Sequence, residues 1–232
     1  MTSEPTTATA GLDFELSDSQ KSIQELARNF AEKEIRPIVM KYDESQEFPF
    51  EIVQKLADLG FMGITWPEEL GGAGLTELDA TIIIEELAKV DPSTALTVAS
   101  HNSLCTGHIM LHANEEQKKK YVPDLASGRK LGAWCLTEPG SGSDSGDMKT
   151  TATRDGKDWI LNGSKTFITQ GSVGSTYVVM AVTDREKGKG SISAFIIEKG
   201  MKGFTIGKKE NKLGMRCSDT ATLNFENVRV PG

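Results

Sequence analysis

The sequence has few cysteines and no long apolar run, and these two absences exclude several classes of protein. Its three cysteines, Cys105, Cys135 and Cys217, lie far apart and match neither a disulfide framework nor the ligand spacing of a thiolate metal site. No window approaches the roughly 18 consecutive apolar residues that a membrane-spanning helix requires. We therefore expect a protein without disulfides or a membrane span, folded in a reducing compartment.

The sequence also lacks an excess of positive charge. The chain has 26 Lys and Arg against 33 Asp and Glu, a formal net charge of −7, so it lacks the diffuse positive field that attracts nucleic acids or anionic lipids. Residues 1–10 contain neither Lys nor Arg and no apolar run, unlike a secretory signal or an Arg-rich presequence. We predict that residues 1–11 are a disordered leader and that the protein is cytoplasmic, or lies in the mitochondrial matrix if a presequence has been removed.

Glycine content and apolar spacing divide the chain near residue 130. Eight of the 23 glycines precede that point and fifteen follow it. In residues 12–130 apolar residues recur at helical spacing, and Ser17 with Gln20 three positions later has the capping-box pattern of a helix start. Proline and glycine mark further helix boundaries. These signals predict an N-terminal domain of five helices, at about residues 17–36, 50–59, 76–87, 93–112 and 114–128.

Residues 131–232 show a different pattern, in which short β-rich runs alternate with turn residues. The pair Asp155-Gly156 between two such runs predicts a hairpin with a type I′ turn, and the charged segment 185–190 is expected to be a solvated hairpin tip. We predict a mostly antiparallel β-barrel or sandwich, so that the fold class is α+β. The eight predicted strands are 131–136, 148–154, 159–161, 167–169, 177–183, 192–197, 204–206 and 222–230.

The most distinctive polar segment runs from Leu136 to Asp144, and we call it the glycine corner. Its sequence LTEPGSGSD follows an apolar run and combines two glycines, two serines and two carboxylates. Glycine lets backbone amides approach a ligand phosphate, although composition alone favours a simple polar turn. Neither a P-loop nor a Rossmann pattern is present. We expect Glu138 to accept hydrogen bonds from loop amides rather than to act as a general base.

The three histidines are candidates for a metal site. His101, His108 and His112 are spaced by seven and four residues, so they would share one face of a helix. No glutamate follows His108 in the zincin pattern, and no nearby cysteine completes a ligand set. We therefore expect satisfied polar side chains at these positions and no metal site.

Six motifs, taken in order, resemble those of the acyl-CoA dehydrogenase family. The resemblance extends over about residues 12–231, and the motifs are closest in appearance to those of short-chain or butyryl-CoA dehydrogenases. They are ELGGAG at 69–74, EELA at 85–88, EQK at 116–118, GAWCLTEPGSGSD at 132–144, LNGSKTFIT at 161–169, and KLGMRCSD at 212–219 followed by FENVRVP at 225–231.

This resemblance implies a helical N-terminal domain, a middle β-domain and a C-terminal four-helix bundle, with FAD between the last two and acyl-CoA beside it. The chain resembles the first two domains, as residues 12–130 and 131–232. The bundle, which carries the catalytic glutamate in most of the family, has no counterpart here, so no catalytic residue is assigned and the chain alone is expected to be inactive.

The reaction that the resemblance implies is the FAD-dependent oxidation of a saturated, short-chain acyl-CoA to the trans-2-enoyl-CoA. Electrons would pass to an electron-transfer flavoprotein, and the full-length enzyme would be a homotetramer. Two alternatives stay open. One is a non-catalytic flavin- or acyl-CoA-binding fragment or subunit that needs a partner to supply the base. The other is an acyl-CoA oxidase, in which the reduced flavin reacts with oxygen.

The same resemblance implies the site residues. Leu136 and Thr137 would contact the flavin, with Thr137 near its N5 atom, and Phe167-Ile168-Thr169 matches a triplet that stacks against the ring and donates a hydrogen bond. Ser143 would contact the CoA part of the substrate, and the helix carrying residues 101–104 would form a wall of the acyl pocket. The implied cofactor-binding residues are Trp134, Cys135, Leu136, Thr137, Glu138, Pro139, Gly140, Ser141, Gly142, Ser143, Phe167, Ile168 and Thr169.

Overall fold

Helices occupy the first half of the chain and strands the second. The computed structural model describes residues 15–184, 186–187 and 191–232, so the predicted leader at 1–11 and most of segment 185–190 lie outside the described residues. Wider π-helical turns, Ala31–Ile35 and His101–Thr106, interrupt the regular helices. The α-helices of the described part are α1 Asp18–Phe30, α2 Val39–Ser45, α3 Phe50–Asp58, α4 Glu77–Ala88, α5 Pro92–Ser100, α6 Gly107–His112 and α7 Glu115–Ala126.

Side chains at the helix starts explain where α1, α4 and α7 begin. Ser17 Oγ accepts a hydrogen bond from Gln20 N, and Gln20 Oε1 accepts one from Ser17 N. Thr76 forms the same reciprocal pair with Asp79 at the start of α4, and Asn114 forms it with Gln117 at the start of α7. Each pair supplies partners for backbone N–H groups that a helix start leaves unbonded. The three predicted helix starts are confirmed.

The prediction of five helices is wrong because it omits α2. Pro37 ends the first helical run as predicted, but the chain becomes helical again at Val39. No residue of α2 is buried, so α2 lacks the apolar stripe that reveals a helix in a sequence. The predicted helix at 93–112 is confirmed as one continuous run, since the π-helical turn joins α5 to α6.

The second half forms one curled sheet that is mostly antiparallel. Its strands are β1 Gly132–Cys135, β2 Thr151–Asp155, β3 Asp158–Thr169, β4 Thr176–Val182, β5 Ile192–Glu198, β6 Phe204–Lys209 and β7 Thr220–Val230. The pairs β2–β3, β3–β7, β6–β7 and β4–β5 are antiparallel, whereas β1 and the start of β2 pair in parallel with β4. The predicted α+β class, with a helical domain followed by a mostly antiparallel sheet domain, is confirmed.

Two details of the strand prediction are wrong. Residues 159–161 and 167–169 belong to the single strand β3, which pairs with β7 through two register shifts instead of being interrupted by a turn. At the β2–β3 hairpin, Gly156 has a positive φ of 62°, and its loop neighbour Lys157 does not. A positive φ at the first loop position alone is the type II′ pattern. The hairpin is therefore confirmed, but its turn is not type I′.

Apolar packing joins the helical half to the sheet. One core cluster lies within the helices and a second lies inside the curl of the sheet. A third cluster packs Cys105, Ile109 and Leu125 of the helical half against Val178 of β4. None of the described helices has the combination of length and apolar character needed to cross a membrane.

A buried histidine crosses the same junction. His101 Nδ1 accepts a hydrogen bond from Gly132 N at 3.0 Å, and His101 Nε2 lies 2.9 Å from Leu125 O. The side chain thus links the π-helical turn to both α7 and the first residue of β1. The expectation that His101 is a satisfied polar residue is confirmed.

Candidate functional site

The glycine corner begins where β1 ends and makes a tight turn. Glu138 N donates to Ser141 O at 2.9 Å and Ser141 N donates to Glu138 O at 3.1 Å, closing the turn around Pro139 and Gly140. Ser141 Oγ also donates to Asp144 O at 2.7 Å. The tip of the turn is exposed. The corner therefore combines a hydrogen-bonded frame with an open tip.

This open tip presents unpaired backbone donors. Within the described part of the chain, no group accepts a hydrogen bond from the N–H of Gly140, Gly142 or Ser143. A Cβ atom added to Gly140 or Gly142 would meet no atom within 4 Å. Neighbouring free N–H groups with open space in front of them can bind an anionic group such as a phosphate.

The carboxylate of Glu138 accepts hydrogen bonds from three groups within the protein. Its Oε2 accepts from Lys149 N at 2.5 Å, and its Oε1 accepts from Thr150 N at 2.9 Å and from Lys165 Nζ at 2.8 Å. Burial raises the pKa of Glu138, but the hydrogen bonds from Lys165 and the two amides outweigh it and hold the pKa below its usual value. The expectation that Glu138 binds loop amides is confirmed.

The glycine corner lies against strand β3. Thr166 N donates to Thr137 O at 2.8 Å, and Lys165 Nζ donates to Leu136 O at 2.9 Å. Because Phe167 directly follows Thr166, the structure brings the two predicted segments, 134–143 and 167–169, next to each other. No spacing rule in the sequence requires this contact, which depends on how the sheet curls.

Phe167 has an unusual conformation and an unusual exposure. Its φ is 56°, a left-handed value, and it lies where the β3–β7 register shifts between Lys165 and Ile168. Its side chain is 63% exposed, although Leu161 and Ile168 of the same strand are buried. Strained backbone at a bulge that presents an aromatic ring to the outside is typical of ligand-binding positions.

The thirteen predicted cofactor-binding residues differ in what they expose. The side chains of Cys135 and Ile168 lie in the sheet core, so only their backbone atoms can contact a ligand. Glu138 and Ser141 are also buried and make the internal hydrogen bonds described above. The other nine are exposed or half-buried: Trp134, Leu136, Thr137, Pro139, Gly140, Gly142, Ser143, Phe167 and Thr169.

Two threonine hydroxyls in this group are free to bind a ligand. Thr137 and Thr169 are half-buried, and no described residue forms a hydrogen bond with either hydroxyl. Thr169 lies opposite Thr220 in the β3–β7 register. A partly buried hydroxyl normally has a partner, so these two hydroxyls are suited to a polar ligand atom.

Fewer residues can form the expected wall of the acyl pocket than the resemblance implies. His101 and Asn102 are buried, and Asn102 binds Ile64 N, Phe61 O and Val98 O. Of residues 101–104, only Ser103 and Leu104 are exposed. Any such wall therefore uses these two side chains.

A second concave surface is lined by residues outside the glycine corner. A cleft of about 460 Å³ between α6, α7 and β5 is lined by His108, His112, Tyr121 and Phe195 among others, and by none of the thirteen predicted residues. The ring centroids of His108 and His112 are 4.7 Å apart. In the part of the chain that the structure describes, no three His, Cys, Asp or Glu side chains are grouped as metal ligands.

Known protein domains match both halves of the chain. Residues 17–129 match the acyl-CoA dehydrogenase N-terminal domain, and residues 133–228 match the acyl-CoA dehydrogenase middle domain. The chain belongs to the acyl-CoA dehydrogenase family. Within that family it is 49% identical over 220 residues to the short-chain specific acyl-CoA dehydrogenase of Clostridium acetobutylicum, covering 95% of this chain and 58% of that protein.

Solved structures of other proteins have a similar fold. Butyryl-CoA dehydrogenase from Megasphaera elsdenii has a TM-score of 0.90 at 41% identity, over 95% of this chain and 58% of that one. A chain from a structure of the electron transferring flavoprotein of Acidaminococcus fermentans scores 0.92 at 45% identity, with the same coverage. A Mycobacterium smegmatis glutaryl-CoA dehydrogenase in complex with FADH2 has a TM-score of 0.88 at 34% identity. The match covers 93% of this chain and 54% of that one.

This chain spans little more than half the length of the relatives it matches. Its two matched domains correspond to the helical half and to the sheet. The glycine corner and Phe167 both lie in the middle domain. Lys165, between them, was not among the predicted site residues, because a lysine in a strand is ordinarily solvated.

Proposed function

We propose that the glycine corner and Phe167 form one side of an FAD site. The observation that carries the proposal is the contact between the corner and β3, which places Thr137 beside the residue preceding the exposed Phe167. The residues fit the cofactor's chemistry. The free N–H groups of Gly140, Gly142 and Ser143 suit its phosphates, the aromatic ring suits stacking on a planar group, and two free hydroxyls suit polar ring atoms.

In this proposal the protein orients the cofactor and the substrate. Bound FAD supplies the two-electron acceptor for oxidation of an acyl-CoA. Thr137 and Thr169 would each donate one hydrogen bond to the flavin ring without adding charge. These bonds would fix the orientation of the ring relative to the sheet. The half-buried side chains of Trp134 and Leu136 exclude water from one edge, and Ser143 binds the CoA part of the substrate.

The proposed reaction is the oxidation of a short-chain saturated acyl-CoA to the trans-2-enoyl-CoA. The identity to a short-chain specific acyl-CoA dehydrogenase and the likeness to a butyryl-CoA dehydrogenase support this substrate class. The likeness to a chain from an electron transferring flavoprotein structure supports such a flavoprotein as the electron acceptor. Residues 131–232 would be the flavin and acyl-CoA platform, and residues 12–130 would pack beside it. The homotetramer and the cytoplasmic location stay predictions.

The test removes the two hydroxyls separately. Thr137→Val and Thr169→Val keep the shape of the side chain, and each is expected to weaken FAD binding about three- to tenfold, the effect of one lost hydrogen bond. Titration of the protein with FAD, followed by flavin fluorescence and the visible spectrum, measures the Kd. Thr205→Val, at an exposed position of β6, is the matched control. An unchanged Kd and spectrum in both site variants would overturn the assignment.

A further inference from the structure

We propose that Lys165 and Glu138 are positioning residues for the cofactor side of the glycine corner. The inference rests on the proposed FAD site and concerns how that site is held in shape. The Lys165 and Glu138 side chains are 0% and 4% exposed, and in every other ion pair of the described residues at least one side chain is substantially exposed. This pair is therefore closed off from solvent.

The Lys165 ammonium joins both ends of the loop that contains the corner. Lys165 Nζ donates to Leu136 O at 2.9 Å, before the turn, and to Glu138 Oε1 at 2.8 Å, and it lies 3.8 Å from Met148 Sδ after the turn. The same carboxylate accepts the backbone N–H groups of Lys149 and Thr150. The Lys165 ammonium and the Glu138 carboxylate together hold loop residues 136–138 and 148–150 against strand β3.

Thr137 lies between the two residues that this ammonium binds. Its carbonyl accepts from Thr166 N, the neighbour of Lys165, so the chain on either side of Thr137 is anchored to β3. Phe167 is two residues beyond Lys165 on the same strand. The distance between the Thr137 hydroxyl and the Phe167 ring therefore depends on the ion pair.

Physical chemistry favours positioning over stability as the role of this pair. Desolvating two charges costs about as much as their attraction returns, so an apolar pair of similar volume often gives equal or higher stability. A buried pair that also donates a hydrogen bond to Leu136 O and accepts two from Lys149 N and Thr150 N instead restricts the geometry of the groups it binds. We accordingly expect that both charges are needed to hold the glycine corner in its geometry against β3, and not to stabilise the fold.

The experiment compares three site variants with a matched control. Lys165→Met leaves the buried Glu138 carboxylate without its opposite charge, and Glu138→Gln does the same to the Lys165 ammonium. The double variant removes both charges while nearly keeping the volume. Glu86→Gln is the control, because Glu86 is another buried carboxylate in an ion pair, but it binds Arg28 and Lys89 in the helical half. Each protein is titrated with FAD and unfolded with urea, and amide hydrogen exchange is followed at Lys149, Thr150 and Thr166.

The expected result separates stability from positioning. Both single variants should bind FAD at least tenfold more weakly and exchange these three amides faster. The double variant should recover stability relative to the single variants, yet keep the weaker FAD binding. Glu86→Gln should lose stability and bind FAD within twofold of the wild-type Kd.

Three outcomes would count against the argument in different ways. If the double variant regained both stability and FAD affinity, the pair would be merely structural and the proposal would be overturned. Unchanged amide exchange in Glu138→Gln would overturn the claim that its carboxylate holds the loop. Wild-type protein that bound no FAD, while the exchange results were as expected, would instead reject the proposed FAD site.

Discussion

Acidification is expected to weaken the junction between the helices and the sheet through His101. Gly132 N–H can only donate and Leu125 C=O can only accept, so the two bonds assign the neutral tautomer with the proton on Nε2. A proton added to Nδ1 would face the Gly132 N–H and break that bond. The side chain is completely buried, so no water can replace the lost partner.

The magnitude follows from the pKa of this histidine. Burial lowers the pKa of His101 from 6.5 to about 4, and the hydrogen bond to Leu125 O opposes burial only in part. The unfolded chain therefore binds a proton at a higher pH than the folded protein does. Stability from this residue is fully present above about pH 6.5, falls as pH decreases, and stops falling below about pH 4. The full loss is about 3 kcal/mol.

Urea unfolding of the wild type and of His101→Gln between about pH 7 and pH 4 tests this prediction. Glutamine can still donate and accept a hydrogen bond but does not titrate, and all other titrating groups are common to both proteins. The difference between their unfolding free energies should therefore shrink by about 3 kcal/mol on acidification. His112→Gln, at an exposed position, tests whether loss of any histidine gives the same result. Parallel curves for the wild type and His101→Gln would refute the argument.

Two further predictions concern local geometry. Gly132→Ala is expected to destabilise the fold by about 1 to 3 kcal/mol, because the new Cβ would lie 2.6 Å from Cys105 Sγ and 2.7 Å from Cys105 Cβ. Gly214→Ala, where a Cβ meets nothing within 4 Å, should have almost no effect in the same urea titration. Asn114→Ala should cost about 1 kcal/mol by removing the N-cap of α7, and Asn114→Ser should restore most of that loss, as measured by thermal unfolding. Equal stability of the alanine and serine variants would show that the cap is dispensable.

Local chemistry made much of the fold predictable. A capping side chain accepts a hydrogen bond from a backbone N–H three residues later. Ser17, Thr76 and Asn114 therefore determine helix starts through local contacts alone. Helix α2 escaped prediction because it buries none of its residues. Strand β3 was divided in two because Asn162-Gly163 has the composition of a turn, whereas its pairing with β7 keeps the segment extended.

The candidate site was predictable only in part, for a physical reason. Glu138 follows a strand and lies in a loop, so hydrogen bonds from loop amides to its carboxylate could be anticipated, although the donors, Lys149 N and Thr150 N, are 11 and 12 residues further along the chain. Lys165 is 29 residues from Leu136, the residue whose carbonyl it binds, and its burial depends on the curl of the sheet. The available signal was the alternation along β3, in which Leu161 and Lys165 fall on the same face.

Buried polar contacts, rather than apolar packing alone, set the position of the candidate site relative to the helices. Gln170, directly after Thr169, donates from Nε2 to Thr97 O at 3.3 Å and accepts from Ser100 Oγ at 3.1 Å, so this end of β3 is bonded to α5. The ion pair of Lys165 holds the other side of Phe167. Apolar surfaces can slide with little loss of contact, but hydrogen bonds are lost within a fraction of an ångström. Movement of the helices against the sheet would therefore break the contacts of Gln170 before it separated the cores, and the site should move with α5 as one unit.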